Sequence, residues 1–219
     1  MNNKGYKLGA EATYTEIMDD GEWFMRGEGR FAYGVVDYAS NGTGSMQDNK
    51  DYTWELRGLA GKDIALNDFN SLTPYTGYGV RYLYNDSRGI TDTGFTGYRR
   101  NSVYQYIPLG LTHRLKLMDN QSRLATTLEY DYFLVGHQRS IFGDIVPGAP
   151  TLKNTQRDAD GGVKGSILFE TGDWSVGPWF NYWHIGRSNL QCIPGNGCGW
   201  NEPENKTTEF GLKFVKKIF

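Results

Sequence analysis

Several residue types are scarce in this chain of 219 residues, and each scarcity argues against a class of protein. Two cysteines and three histidines are too few and too scattered for the ligand spacing of a structural zinc site. No stretch of about 18 apolar residues is present, which argues against a helical membrane protein. Lysine and arginine (23) nearly balance aspartate and glutamate (25), and no basic stripe indicates a nucleic-acid surface.

Glycine (29) and tyrosine (15) are abundant, and aromatic residues make up 15% of the chain. Hydrophobic residues reach only 38%, which is thin for the core of a water-soluble protein but usual for a β-barrel with a polar interior. The length fits a single domain over residues 1–219, either a barrel or a sandwich. The pattern along the chain must decide between them.

The stretch Arg123–Val135 shows that pattern most clearly, because its side chains alternate with the period of two that a β-strand imposes. Leucines and tyrosines occupy one face, whereas Glu129 and Asp131 lie on the other. Nine runs of this kind are Tyr6–Thr15, Trp23–Tyr38, Tyr52–Asp63, Thr73–Asn85, Tyr104–Leu117, Arg123–Val135, Val163–Glu170, Trp174–Ile185 and Thr208–Phe219. No separate apolar layer is left to cover the apolar faces, so lipid is the remaining cover. The sequence predicts an all-β, up-and-down antiparallel transmembrane β-barrel.

The connections between these runs alternate in length. Short ones follow the first, third, fifth and seventh runs, and long ones follow the second, fourth, sixth and eighth. Among the long ones, residues 40–51 are predicted to be a polar loop and residues 146–161 an irregular connection. This asymmetry is typical of bacterial outer-membrane barrels, whose outer loops are the longer ones.

Four segments, EGRFAYGVVDY, ELRGLAGKDI, LEYDYF and NKTTEFGLKF, resemble a widespread, mostly uncharacterised class of small bacterial outer-membrane β-barrel proteins with about ten strands. The resemblance implies the outer membrane as location, with membrane lipid, lipopolysaccharide and the assembly machinery as partners. It also implies an assembly signal at Phe210, Leu212, Phe214 and the terminal Phe219. Alternation puts Lys216 on the outward face and Phe219 out of phase, so a β-bulge or a snorkelling Lys216 is needed.

Alternation also predicts which charged side chains line the interior. The main ones are Glu11, Arg26, Glu28, Arg30, Glu55, Arg57, Arg81, Arg114, Glu129, Asp131, Lys164 and Lys213, and Lys7, Lys116, Glu170 and Glu209 share the same face. In a narrow barrel they would form an ion-pair network that fills the interior, because buried charges must be paired. A selective polar pore and a site of catalytic carboxylates are the two alternatives. Five members, Arg30, Glu55, Arg57, Arg81 and Glu129, are predicted to pair across neighbouring strands.

The cysteines and histidines complete the list of candidate sites. Five residues rich in glycine and proline separate Cys192 from Cys198, which predicts a disulfide in the last long loop. His137 and His184 fall near the loop ends of two runs, but no acid/base constellation surrounds them. We therefore expect a protein without enzymatic activity, metal or cofactor.

The odd number of runs leads to a hypothesis about the start of the barrel. Closed single-chain bacterial barrels have an even number of strands, and the opening residues MNNKGYK contain no export signal. Both observations are explained if Met1 is an internal methionine and a signal peptide and one upstream strand are missing. The alternative is genuine closure with nine strands.

Function is predicted only coarsely. The leading interpretation is a structural outer-membrane barrel or a porin-like one that passes small solutes or ions. The alternatives are a surface adhesin or receptor that acts through the long outer loops, and an outer-membrane hydrolase. A porin requires an open interior, whereas an adhesin requires only an accessible outer surface.

Overall fold

The computed structural model describes residues 2–18, 21–118, 121–193 and 197–218, most of them in β-strands. One turn of 3-10 helix covers Phe142–Asp144. The strands are β1 (Asn2–Ile17), β2 (Trp23–Ser40), β3 (Gly44–Lys62), β4 (Ile64–Ala65), β5 (Asn70–Asp86), β6 (Arg99–Lys116), β7 (Ser122–Ile141), β8 (Thr151–Gln156), β9 (Ala159–Thr171), β10 (Trp174–Ile185), β11 (Gln191–Ile193), β12 (Gly197–Trp200) and β13 (Asn205–Lys216). In this described part of the chain, no helix is long and apolar enough to cross a membrane.

Nine long strands form one antiparallel sheet in which each strand pairs with its neighbours along the chain. The order is β1-β2-β3-β5-β6-β7-β9-β10-β13, with β4 added to β5 and β8 added to the end of β7. β11 and β12 form a separate hairpin. The predicted all-β class and up-and-down order of nine strands are confirmed.

The outward face of the sheet is apolar and exposed. Leu8, Leu128 and Phe210 on this face are 85%, 60% and 83% exposed. The inward face carries charged side chains, and Arg81 and Glu129 there are only 3% and 2% exposed. A water-soluble sheet would cover its apolar face, so this inverted arrangement is that of a barrel whose outer surface contacts lipid.

All nine long strands exceed the length that a membrane crossing requires, and five of them contain 17 residues or more. β2, β3, β5, β6 and β7 contain 18, 19, 17, 18 and 20 residues, whereas about 9–11 residues of tilted strand cross the hydrocarbon layer. We call the end of the sheet formed by residues 40–44, 87–98, 142–158 and 186–204 the outer rim. The opposite end, which carries the short connections, is the inner rim.

The predictions of loops at residues 40–51 and 146–161 are wrong, because both segments contain strands at the outer rim. Residues 40–51 belong mostly to β3, which pairs with β2 as far as Ser40 and Gly44 around a turn at residues 41–43. Residues 146–161 contain β8 and the start of β9. Outside the bilayer a strand needs no apolar face, so these strands continue where the alternating hydrophobicity has already ended.

A β-bulge in the β6–β7 pair changes which residues of β7 face inward. Tyr106 pairs with Phe133 and Gln105 pairs with Val135, so Leu134 is skipped. Odd-numbered residues of β7 face inward before the bulge and even-numbered residues after it.

The last strand ends earlier than predicted, at Lys216. Phe210, Leu212 and Phe214 of the predicted assembly signal lie on its outward face. Lys216 shares this face, and its Nζ lies 3.1 Å from a carboxylate oxygen of Asp173, so the side chain snorkels to the inner rim. Phe219 lies outside the described residues.

The first and last strands are the two edges of the sheet. Within the described residues, no backbone ladder joins β1 to β13. Side chains nevertheless meet between them. Lys213 Nζ lies 2.6 Å from Glu11 Oε1, and Lys7 Nζ lies 3.9 Å from Glu209 Oε1. The sheet therefore curls far enough to bring its unpaired edges within reach of long side chains.

Candidate functional site

The inward face carries ion pairs between neighbouring strands. Arg30 on β2 lies 3.0 Å from Glu11 on β1 and 3.5 Å from Glu55 on β3. Arg57 on β3 lies 2.6 Å from Glu28 on β2. The register of the sheet explains these contacts, because Arg30 stands directly opposite Glu11 and Glu55. Glu28 likewise stands opposite Arg57.

Other ion pairs cross the interior between strands that are not neighbours. Arg57 Nη1 on β3 lies 2.5 Å from Glu129 Oε1 on β7. Arg81 Nη2 on β5 lies 2.9 Å from Glu209 Oε2 on β13. The prediction for Arg57, Arg81 and Glu129 involved neighbouring strands only. The curvature of the sheet, which alternation does not encode, brings opposite walls close enough for these longer-range pairs.

Lys164 on β9 joins three carboxylates in the middle of the interior. Its Nζ lies 2.7 Å from Glu55, 3.5 Å from Glu129 and 3.1 Å from Asp131. All four side chains are nearly or fully buried, with 9% exposure or less. Buried charges of this kind are tolerated only when they are paired, so the cluster ties β3, β7 and β9 together.

The other main residues of the predicted interior set also lie in ion pairs. These are Arg26 with Glu28 (3.9 Å), Arg114 with Glu170 (3.6 Å) and Lys213 with Glu11 (2.6 Å). Sequence reasoning missed Asp51, whose Oδ1 lies 2.5 Å from Lys7 Nζ. Asp51 has the same parity as Glu55, so alternation continued toward the start of β3 would have found it.

Aromatic clusters fill the interior on both sides of the charges. Tyr104, Tyr106, Phe133, Trp183 and Ile185 form one toward the outer rim, and Phe24, Leu59 and Tyr75 form one toward the inner rim. Tyr75 stands opposite Gly110, and Tyr106 stands opposite Gly79. A Cβ added to Gly110 would lie 2.0 Å from the ring of Tyr75, and one added to Gly79 would lie 2.3 Å from the ring of Tyr106. Each ring therefore lies over the bare backbone of the next strand.

Tyrosine hydroxyls connect these clusters to the charges. Tyr75 donates a hydrogen bond of 2.8 Å to Glu129 Oε2, and Tyr106 donates one to Glu55. The space among Glu11, Glu28, Arg30, Glu55 and Arg57 is too small to hold a water molecule.

An ion pair on the outer rim fastens the connection between β7 and β8. Arg99 donates side-chain hydrogen bonds of 2.9 and 2.7 Å to the two carboxylate oxygens of Asp144. Its backbone N–H donates a third, of 3.0 Å. These hydrogen bonds to the charged form hold the pKa of the Asp144 carboxyl below its ordinary value.

A second rim contact joins the β2–β3 hairpin to the connection between β5 and β6. The backbone N–H and the hydroxyl of Ser45 each donate a hydrogen bond of 2.7 Å to the carboxylate of Asp92. These donors lower the pKa of Asp92. The hairpin that replaces the predicted loop is thus attached to its neighbour.

The three histidines lie apart. His184 contacts two carboxylates, Asp160 through Nδ1 and Glu204 at 2.9 Å through Nε2. His137 lies on the outward face of β7, and His113 lies on β6 toward the inner rim. In the part of the chain that the structure describes, no three histidine, cysteine, aspartate or glutamate side chains are grouped to hold a metal ion.

Cys192 and Cys198 are bonded to each other across the β11–β12 hairpin, where their Cα atoms lie 3.9 Å apart. The predicted disulfide is confirmed. Residues 194–196, between the two cysteines, lie outside the described residues. The bond closes a small hairpin within the last connection of the outer rim.

Comparison with known proteins identifies the family. A family model described as autotransporter beta-domain matches residues 1–177, which is most of the chain. No curated protein matches it. The exposed apolar outer face and the buried charged inner face agree with a strand-built membrane protein. The chain therefore belongs to the autotransporter beta-domain family and is an outer-membrane β-barrel of Gram-negative bacteria.

Proposed function

We propose that this barrel is a closed membrane anchor whose outer rim serves as a binding surface of the adhesin or receptor type. The observation that carries the proposal is the set of ion pairs across the interior, including Arg57 with Glu129 and Arg81 with Glu209. A free path for solutes would have to separate these partners, which hold opposite walls of the interior together.

The construction of the outer rim supports a role in recognition. The Ser45–Asp92 contact, the Arg99–Asp144 ion pair and the disulfide each fasten a different connection. A surface that is already ordered loses little conformational entropy when it binds a partner. The contacts that hold these connections in place would therefore lower the entropic cost of binding a partner at the outer rim.

The porin-like alternative rests on the polar interior with charges of both signs. Conductance of the purified full chain in a planar bilayer separates the two functions. A closed anchor gives no steady conductance at any applied voltage. Steady, ion-selective steps would overturn the anchor and favour porin-like passage.

The family match favours another candidate, a translocator that moves an attached segment across the membrane. Such a barrel must open the interior, whereas an anchor need not. Arg57→Cys and Glu129→Cys, joined by a bifunctional crosslinker, hold the two walls together. If crosslinking stops the export of an attached epitope, the barrel is a translocator. If the epitope is exported or surface-exposed to the same extent with and without the crosslink, the anchor is supported.

We propose further that a tenth strand fits between β1 and β13. Backbone groups left unpaired in lipid cost several kcal/mol each, and single-chain bacterial barrels close with an even number of strands. The ion pair between Lys213 and Glu11 is compatible with a strand in the gap, because two long side chains can span two strand spacings of about 4.8 Å.

Cysteine crosslinking tests the tenth strand. Glu11→Cys with Arg30→Cys is the control, because these positions are opposite each other on paired strands. Glu11→Cys with Lys213→Cys should not form a disulfide if a strand intervenes, but should react with a crosslinker about 10 Å long. Direct oxidation of both pairs would show that β1 and β13 are adjacent.

We infer the partners of the barrel from its location in the outer membrane. The exposed belt contacts lipid, and the outward Phe210, Leu212 and Phe214 on the edge strand β13 are offered to the assembly machinery. Polar substitution at Phe214 should reduce insertion into the outer membrane without changing expression. Lipopolysaccharide is the proposed lipid partner at the outer rim.

A further inference from the structure

The outward face of the β7–β8 pair carries a basic patch formed by His137, Arg139, Lys153 and Thr155. Arg139 stands directly opposite Lys153, and His137 stands opposite Thr155. These side chains line a groove of about 320 Å³. The β-bulge near Leu134 creates the patch, because it turns the odd-numbered residues of β7 outward at this level.

The charges of this patch are not balanced within the described chain. Arg139 and Lys153 are exposed, and neither lies in an ion pair with a described carboxylate. Like charges directly opposite each other in an antiparallel ladder are destabilising. The acidic residue of the adjoining connection, Asp144, is bonded to Arg99 instead. An external anion would relieve the repulsion between the two cations.

The position of the patch along the membrane normal indicates which anion binds there. Trp54 and Tyr82 stack on the outward face with ring centroids 5.4 Å apart, and aromatic girdles of this kind lie at the membrane–water interface. Tyr82 stands opposite Val103, and Val103 stands opposite His137. Arg139 lies two residues further toward the outer rim. Tyr84, which stacks on Tyr52, stands opposite Asn101, and Asn101 stands opposite Arg139. The patch is therefore level with the girdle, where lipid head groups begin.

We propose that the Arg139–Lys153 patch binds the phosphate of an outer-leaflet glycolipid. The guanidinium offers a planar pair of donors to phosphate oxygens, and the ammonium adds a point charge beside it. The apolar belt below the patch contacts the acyl chains of the same lipid. The inference deepens the proposed lipid partner, and it does not depend on whether the barrel conducts.

Binding of lipid A to the purified full chain in zwitterionic micelles tests the proposal. Three probes are compared, namely phosphorylated lipid A, chemically dephosphorylated lipid A and sodium phosphate. Phosphorylated lipid A should bind at least tenfold more tightly than the dephosphorylated form. Equal binding of the two lipids would overturn the proposal. Sodium phosphate that displaces phosphorylated lipid A at a concentration equal to that of the lipid would also overturn it, because it would show a site for free anions.

Variants locate the site. Arg139→Gln with Lys153→Gln should lower the affinity for phosphorylated lipid A at least tenfold, whereas Lys206→Gln, at an exposed lysine at the start of β13, is the control. Lys153→Glu, which places a carboxylate opposite Arg139, should abolish the preference for phosphate while raising the unfolding temperature. Heat-modifiable gel mobility checks that each variant folds. Unchanged lipid affinity in folded variants would overturn the proposal.

Discussion

Arg57 on β3 and Glu129 on β7 lie 2.5 Å apart across the interior, although β5 and β6 separate these strands within the sheet. In a flat sheet three strand spacings of about 4.8 Å, or about 14 Å, would lie between them. Their side chains are only 12% and 2% exposed. The contact therefore helps to fix the curvature of this wall, so its removal should change both the stability and the shape of the sheet.

Replacing Glu129 should destabilise the barrel more than replacing an exposed glutamate. Glu129→Leu removes one of the two carboxylates that contact the buried Arg57, a carboxylate beside Lys164 and the acceptor of the Tyr75 hydroxyl, so we expect a loss of about 3–5 kcal/mol in the free energy of unfolding. Urea unfolding in lipid vesicles measures it. Glu204→Leu, at a carboxylate that is 51% exposed, is the control and should cost about 1 kcal/mol or less.

A double variant shows whether the effect of Glu129 comes from the stranded charge. Arg57→Met combined with Glu129→Leu removes both partners of the pair and should recover part of the stability lost in Glu129→Leu alone; Glu28 loses its contact with Arg57 in the double variant, so recovery is incomplete. If the double variant is as unstable as the sum of the single variants, packing and not charge pairing accounts for the loss.

Adding one methyl group at Gly110 should destabilise the barrel because the ring of Tyr75 occupies that space. Gly110→Ala should cost about 1–3 kcal/mol through overpacking. Gly27 and Gly58 are matched controls, since a Cβ added to either meets nothing within 4 Å. Alanine at these positions should be neutral or stabilising. Equal effects at Gly110 and Gly27 would show that the ring moves aside freely.

Breaking the disulfide should loosen only the β11–β12 hairpin. Cys192→Ser with Cys198→Ser should increase protease cleavage within residues 186–204 while leaving the unfolding midpoint of the barrel unchanged, because the hairpin is separate from the main sheet. Mass spectrometry of the fragments locates the cuts. A lowered midpoint would mean that the hairpin contributes to the stability of the barrel itself.

The alternation of residues was enough to predict the strands inside the membrane, because lipid and the charged interior demand opposite chemistry on the two faces. It assigned Arg57, Glu129 and Lys164 to the inward face for that reason. It could not predict which side chains meet across the interior. Those contacts depend on how strongly the sheet curves, and a pattern of period two is the same in a flat and in a curved sheet.

Two further features were hidden for different physical reasons. β8 and the outer half of β3 have polar residues on both faces, since outside the bilayer no apolar face is required. The bulge at Leu134 inserts one residue, and its only nearby signal in β7 is Gly136, because a glycine inside a strand can mark a bulge. The basic patch at Arg139 depends on this bulge, because unbroken alternation would have turned Arg139 inward.

Acid should release the connection between β7 and β8 from Arg99. The folded state lowers the pKa of Asp144 below its ordinary value of 3.8, so this ion pair stabilises the rim at neutral pH. The stabilisation is lost as the pH falls through the lowered folded pKa, where the carboxylate takes up a proton.

Pepsin should therefore begin to cut residues 142–150 only at a pH below the ordinary pKa range of an aspartate. Asp144→Asn should be cut there throughout the acid range, whereas Asp158→Asn, at another exposed rim aspartate, should behave like the unchanged protein. Identical cleavage of all three proteins at every pH would show that the Arg99–Asp144 pair does not hold the connection in place.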